Sequence, residues 1–146
     1  MNTKQHIIRN ARGFTLIEIL VVVVIIGILG AIIVPQIMKR PDQARIVRVH
    51  QDLASIQSAL DMYKLDNGFY PTTDQGIDAL VTKPSTPPIP NNWQATLPRK
   101  PMDPWGRPYH YLNPGEHGEI DIFTYGPTGQ PGGTGSNAEI GNWNAQ

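Results

Sequence analysis

The chain has 146 residues, with 12 Lys and Arg set against 12 Asp and Glu, and no cysteine. Charge so balanced gives no basis for a nucleic-acid surface, and without cysteine no disulfide can staple the fold. Once an N-terminal anchor is set aside, roughly 100 residues remain, enough for one small domain.

Residues 1–13 form a leader that carries Lys4, Arg9 and Arg12 and no acidic residue. From Phe14 to Met38 the chain is apolar, and its only strongly polar side chains are Glu18 and Gln36. As one helix at about 1.5 Å per residue, that run can cross a hydrocarbon core of about 30 Å. No small-residue cleavage site follows Met38; Lys39, Arg40 and Pro41 do. The apolar segment 14–38 is therefore expected to be kept and the leader to be the removable part. The basic leader marks the cytoplasmic side, which places residues 39–146 across the membrane. Without the leader's three basic residues the chain is about −3.

A carboxylate near the start of such a helix is costly, roughly 2.5 to 3.5 kcal/mol at a helix centre, so Glu18 calls for a partner. A cut between Gly13 and Phe14 would supply one, a new α-amine on the same or a neighbouring subunit; otherwise Glu18 snorkels or is protonated. Gly13 suits a cut, because a peptidase can approach closely where no Cβ stands. Further along, Gly27, Gly30 and Pro35 weaken the helix. Gly27 and Ala31 form a small-xxx-small pair open to another helix.

Gly13-Phe14-Thr15-Leu16-Ile17-Glu18 resembles the class III signal of type IV pilins and type II secretion pseudopilins. The resemblance implies that a membrane prepilin peptidase cuts after Gly13 and that Phe14 is N-methylated. It also implies that Glu18 registers subunits during assembly.

Beyond the anchor, Ile46, Val49, Leu53, Ile56, Leu60 and Tyr63 recur at steps of three and four, the stripe of an amphipathic helix. Pro41 and Asp42 either start this helix or bend a continuing one, and Asp66-Asn67-Gly68 stops it. One long bent helix of about 50 residues, some 80 Å if straight, is expected. Thr73 or Asp74 then caps a short helix burying Ile77, Leu80 and Val81. A proline-rich loop runs from Pro84 to Pro104, and Asp103-Pro104-Trp105-Gly106 suits a turn.

Pro108 to Leu112 and Ile120 to Tyr125 read as an antiparallel hairpin joined by Asn113 to Gly118. A lone hairpin is marginal, so it must lean on the helix, with room for a third short strand. The tail from Gly126 is rich in Gly, Asn, Ser and Thr and needs a tether. The class is α+β, with a long helix packed on a small antiparallel sheet and a C-terminal loop.

The blocks LDMYKLDNGFYPTTDQGIDALV, DPWGRPYHYLNPGEHGEIDIF and the closing IGNW sharpen the resemblance to the major pseudopilins of type II secretion, whose fold is type IV pilin-like. The resemblance implies a homopolymer, the periplasmic pseudopilus, built at the bacterial inner membrane from subunits whose N-terminus is cytoplasmic. It implies as partners the prepilin peptidase, minor pseudopilins and the inner-membrane assembly platform, and as task the export of folded proteins across the outer membrane. A type IV pilin for adhesion, motility or DNA uptake is the alternative, which the lack of cysteine disfavours.

The same family usually binds one Ca²⁺ in the C-terminal loop through acidic side chains. Here Thr128 stands where an Asp is expected, and Glu139 is the single carboxylate of the second stretch. The donors left are Thr128, Asn137, Glu139 and the Tyr125 carbonyl, a weak set for an ion that takes six to eight oxygens. No catalytic constellation is legible. His6, His50, His110 and His117 lack metal-ligand spacing, His50 lies off the apolar stripe, and neither G-x-S-x-G nor a phosphate loop occurs.

Overall fold

The structure, a computed structural model, describes residues 13–37 and 40–145, the side chains of 32–37 and 40 excepted. The chain divides into two units between Arg40 and Pro41. The basic leader as far as Arg12, with His6, lies outside the described residues, as do Met38 and Lys39. The expected bend and continuity of one long helix fall there too.

In the first unit α1 spans Leu16–Ile37. Side chains from Phe14 to Leu29 are all exposed, as is Ala31. An exposed apolar helix surface of this kind is suited to lipid or to other helices. Over the part with described side chains no helix is long and apolar enough to cross a membrane, while the apolar sequence runs on to Met38.

The second unit is led by α2, Arg40–Asn67. Its stripe of Val49, Leu53, Ile56, Leu60 and Tyr63 is buried as the spacing demands, and Ala59 joins it. Ile46 is only half-buried, so the core starts one turn later than the periodicity suggests. Against the stripe pack Ile77, Ala79 and Leu80 from a short 3-10 helix, and Tyr109, Tyr111, Ile120 and Ile122 from the sheet strands and the residues leading into them. Leu60 is fully buried at the centre. Leu60→Ala is expected to cost about 2 to 5 kcal/mol, read as a lower melting temperature of the second unit.

The sheet has three strands in the order β1-β2-β3: β1 His110–Leu112, β2 Asp121–Thr124 and β3 Ile140–Gly141. Both pairings are antiparallel, with Tyr111 opposite Ile122 and Phe123 opposite Gly141. Two hydroxyls tie β1 and its approach to the helical side. Tyr109 donates to Asp52 on α2 at 2.8 Å and Tyr111 to the Pro71 carbonyl at 2.8 Å. Burial, aided at Tyr109 by the Asp52 carboxylate, raises both phenols above their ordinary value.

The short helix at Ile77–Leu80 corrects two expectations. Val81 is its C-terminal cap, half-exposed, and Gly76 with φ 58° is its N-cap, with no side-chain cap. The turn before it is held instead by Thr72 and Gln75. The Gln75 amide donates to Thr72 Oγ1 at 3.2 Å, and the Thr72 amide donates to Gln75 Oε1 at 3.1 Å. Thr73 turns away and exchanges two hydrogen bonds with Asn113 at the end of β1.

The proline-rich loop is anchored along its length. Trp93 Nε1 donates to the Ala79 carbonyl at 2.7 Å, and the amides of Thr96 and Leu97 donate to that of Leu80.

Candidate functional site

Two regions carry the residues singled out in the sequence, one in each unit. In the first, Gly13 and Phe14 precede the helix in irregular backbone. Phe14 is 84% exposed, and a Cβ added at Gly13 would meet nothing within 4 Å. Among the described residues nothing crowds the peptide bond between them. Glu18 lies one turn into the helix. Its Oε2 accepts the Thr15 amide and the Thr15 hydroxyl, each at 2.8 Å, and the Glu18 amide returns a hydrogen bond to Thr15 Oγ1 at 3.3 Å. This is a capping box, in which Thr15 and Glu18 satisfy each other's free helix-start donors. Within one chain, then, the partner of Glu18 is Thr15. The Thr-x-x-Glu spacing could have revealed it, had the carboxylate not been considered mainly as a charge in lipid.

The second region is the far end of the sheet and the loops around it. The closing Ile140-Gly141-Asn142-Trp143 supplies the tether that the tail needs. Trp143 folds back over Gly141, where any Cβ would come within 2.3 Å of the indole. Its ring stacks on His117 with centroids 3.8 Å apart and planes 7° apart. Asn142 takes a strand-like place beside β2. Its amide donates to the Ile122 carbonyl, its Oδ1 accepts the Ile122 amide, and its Nδ2 donates to Ile120 and to Gln57 on α2.

Beneath that stack the loop Asn113–Gly118 wraps the buried carboxylate of Asp121, which accepts the Glu116 and His117 amides and pairs with His117 Nδ1 at 2.9 Å. A Cβ at Gly115 would come within 2.6 Å of Asp121 Oδ1. Burial by itself would raise the Asp121 carboxyl, but the His117 ring and the Glu116 and His117 amides outweigh it and hold it below its ordinary 3.8. A carboxyl held below its unfolded value stabilises the fold above that value and loses the contribution as pH falls through the folded one. Asp121→Asn is expected to cost about 2 kcal/mol near neutrality and to flatten the fall in melting temperature below about pH 4. An acid limb identical to that of the native chain would refute the role.

On the other side of the sheet the turn Asp103–Gly106 holds a second buried carboxylate. Asp103 Oδ1 accepts the amides of Trp105 at 3.0 Å and Arg107 at 2.8 Å, and its Oδ2 accepts the Thr124 hydroxyl at 2.6 Å. Arg107 sends its guanidinium from this turn to the Gly126 carbonyl.

Around Gly126 lie the donors expected for a metal. The 3-10 turns Gly126–Thr128 and Gly135–Asn137 are packed together. Thr128 Oγ1 lies 3.4 Å from the Tyr125 carbonyl and 3.3 Å from that of Gln130. Asn137 is exposed, and Glu139 engages Asn144 through its carbonyl at 3.1 Å. Among the described residues no three His, Cys, Asp or Glu side chains gather where an ion could sit. With one carboxylate and a guanidinium on a central carbonyl, this donor set does not fit Ca²⁺.

A domain led by a long amphipathic helix, with a three-stranded antiparallel sheet and preceded in the chain by an apolar helix, is of the pilin-like class. A family model of the prokaryotic N-terminal methylation motif matches residues 8–34, and one of protein G of the type II secretion system matches residues 36–143. The chain belongs to the type II secretion system protein G family. It is 54% identical over 137 residues to the type II secretion system core protein G of Pseudomonas aeruginosa, covering 92% of this chain and 96% of that one. To the Vibrio cholerae protein of the same name it is 51% identical over 140 residues, covering 94% and 95%. Among solved structures it is similar to the major pseudopilin from the type 2 secretion system of enterohaemorrhagic Escherichia coli. The TM-score there is 0.65 at 47% identity, over 73% of this chain and 92% of that one.

Proposed function

We propose that this chain is the major pseudopilin subunit of a type II secretion system. A prepilin peptidase removes residues 1–13, Phe14 becomes the methylated N-terminus, and segment 14–38 holds the subunit in the inner membrane with the domain in the periplasm. Subunits then polymerise through α1 into a pseudopilus, topped by minor pseudopilins and driven by the inner-membrane platform, that helps move folded proteins across the outer membrane. The observation that carries this reading is the near end-to-end family match, with the methylation motif lying over the exposed Gly13-Phe14 bond. The exposed apolar surface of α1 from Leu16 to Leu29 supports it, since such a surface requires lipid or neighbouring helices.

The test is deletion of the gene, with the intact gene restored as control, followed by enzyme assays of culture medium and periplasm. Active exoproteins retained in the periplasm are expected. Normal secretion with loss of surface pili, motility or DNA uptake would assign the chain to the type IV pilins instead.

A further inference from the structure

The C-terminal loop, residues 125–139, has little apolar content, and Glu139 is its only charged residue, so its shape must come from polar contacts. Those contacts converge on Gly126, which is buried and sits at φ 67°. Its amide donates to Thr124 Oγ1 at 3.2 Å, and that hydroxyl is itself held by Asp103 at 2.6 Å. Its carbonyl is taken by Arg107 Nη2. The same guanidinium covers Gly129, where a Cβ would come within 2.6 Å of Nη1, and Nε lies 3.8 Å from Asp103 Oδ2. One ion pair thus grips both sides of Gly126, Asp103 through the Thr124 hydroxyl and Arg107 directly.

The second half of the loop rests on that same residue. A Cβ at Gly126 would lie 3.1 Å from the Ala138 carbonyl, and one at Gly133 would overlap that of Asn137. Backbone oxygens of residues 137 and 138 therefore close over the residue that Arg107 holds. A divalent cation brought to these carbonyls would face a guanidinium already bonded to the neighbouring Gly126 carbonyl. Asp103, the buried carboxylate nearby, is already occupied by three donors and the Arg107 charge.

We infer that Arg107 is the cation that closes the C-terminal loop, pairing Asp103 with the Gly126 carbonyl, so that the loop folds without a divalent metal. The inference stands apart from the secretion reading, because it concerns only the folding of the second unit.

The test uses the full chain in detergent micelles. Thermal unfolding is followed by near-ultraviolet circular dichroism, and proteolysis is timed within residues 126–139, each with chelator and with about 5 mM CaCl₂, well above the dissociation constants of weak extracellular sites. The native chain is expected to melt within about 1 °C in both conditions and to be cut equally slowly. Arg107→Gln is expected to melt at least about 5 °C lower and to be cut in the loop about tenfold faster, with or without Ca²⁺. A rise of about 5 °C or more for the native chain in Ca²⁺ would overturn the inference, and so would native-like protection of Arg107→Gln in chelator. The comparison on the native chain decides the matter even where the variant does not fold.

Discussion

Glu18→Val is expected to leave the cut after Gly13 intact and to stop subunits assembling. In the single chain the carboxylate completes the capping box with Thr15, and in the proposed filament it is the only charge of α1 available to meet a new α-amine at Phe14. Valine keeps the helix apolar, so the anchor is retained while the polar handle is lost. Loss of one charge-assisted contact per subunit, worth at least about 1.4 kcal/mol, gives at least a tenfold drop in affinity at each addition step. Repeated along a polymer, that removes long filaments. Gly13→Val acts at the other step: it places a branched side chain at the exposed peptide bond and is expected to leave the leader attached. Intact mass of the purified chains separates the two variants, and crosslinking between cysteines placed at Leu16 and Val23 reads assembly. A full ladder of crosslinked oligomers from Glu18→Val would refute the role given to that residue.

The second large effect is expected at Asp103. Its side chain is fully shielded from solvent. Asp103→Ala would strand the Trp105 and Arg107 amides and the Thr124 hydroxyl in one step. Arg107 is 38% exposed, so the cost comes from the donors stranded around the buried carboxylate, about 1 to 3 kcal/mol each and about 3 to 5 kcal/mol together. In a unit of this size that corresponds to a fall of roughly 15 °C in melting temperature. Asp103→Asn keeps one acceptor oxygen for the two amides and should recover part of the loss. Equal stability of the alanine variant and the native chain would show that the turn at Asp103–Gly106 stands without its carboxylate.

What could be read from the sequence was what repeats at short range. Six apolar residues at steps of three and four announced α2 and its buried face, and only Ile46, at the edge of the domain, failed to reach the core. The hairpin, with room for a third strand, followed from alternating apolar runs and turn residues. The cap of the 3-10 helix is Gly76, two to three residues beyond the expected Thr73 or Asp74. Of two adjacent threonines, Thr72 pairs with Gln75 while Thr73 serves Asn113, a partner 40 residues away. The Asp103 and Arg107 network was illegible for the same reason. Its members lie 19 to 21 residues from the groups they hold, and nothing in the loop's own residues points back to a turn before β1.

Among the described residues, every core side chain belongs to the second unit, from Val49 onward, and α1 contributes none. On the proposed reading, folding of the second unit and anchoring by segment 14–38 are governed by separate sets of residues. A subunit drawn out of the bilayer would, on that reading, exchange the surroundings of one helix, lipid for neighbouring helices, while the apolar contacts within the second unit stay as they are. Extraction then costs only the difference between two apolar environments. The domain's melting point and the filament's yield become independent dials, each open to change by mutations that leave the other untouched.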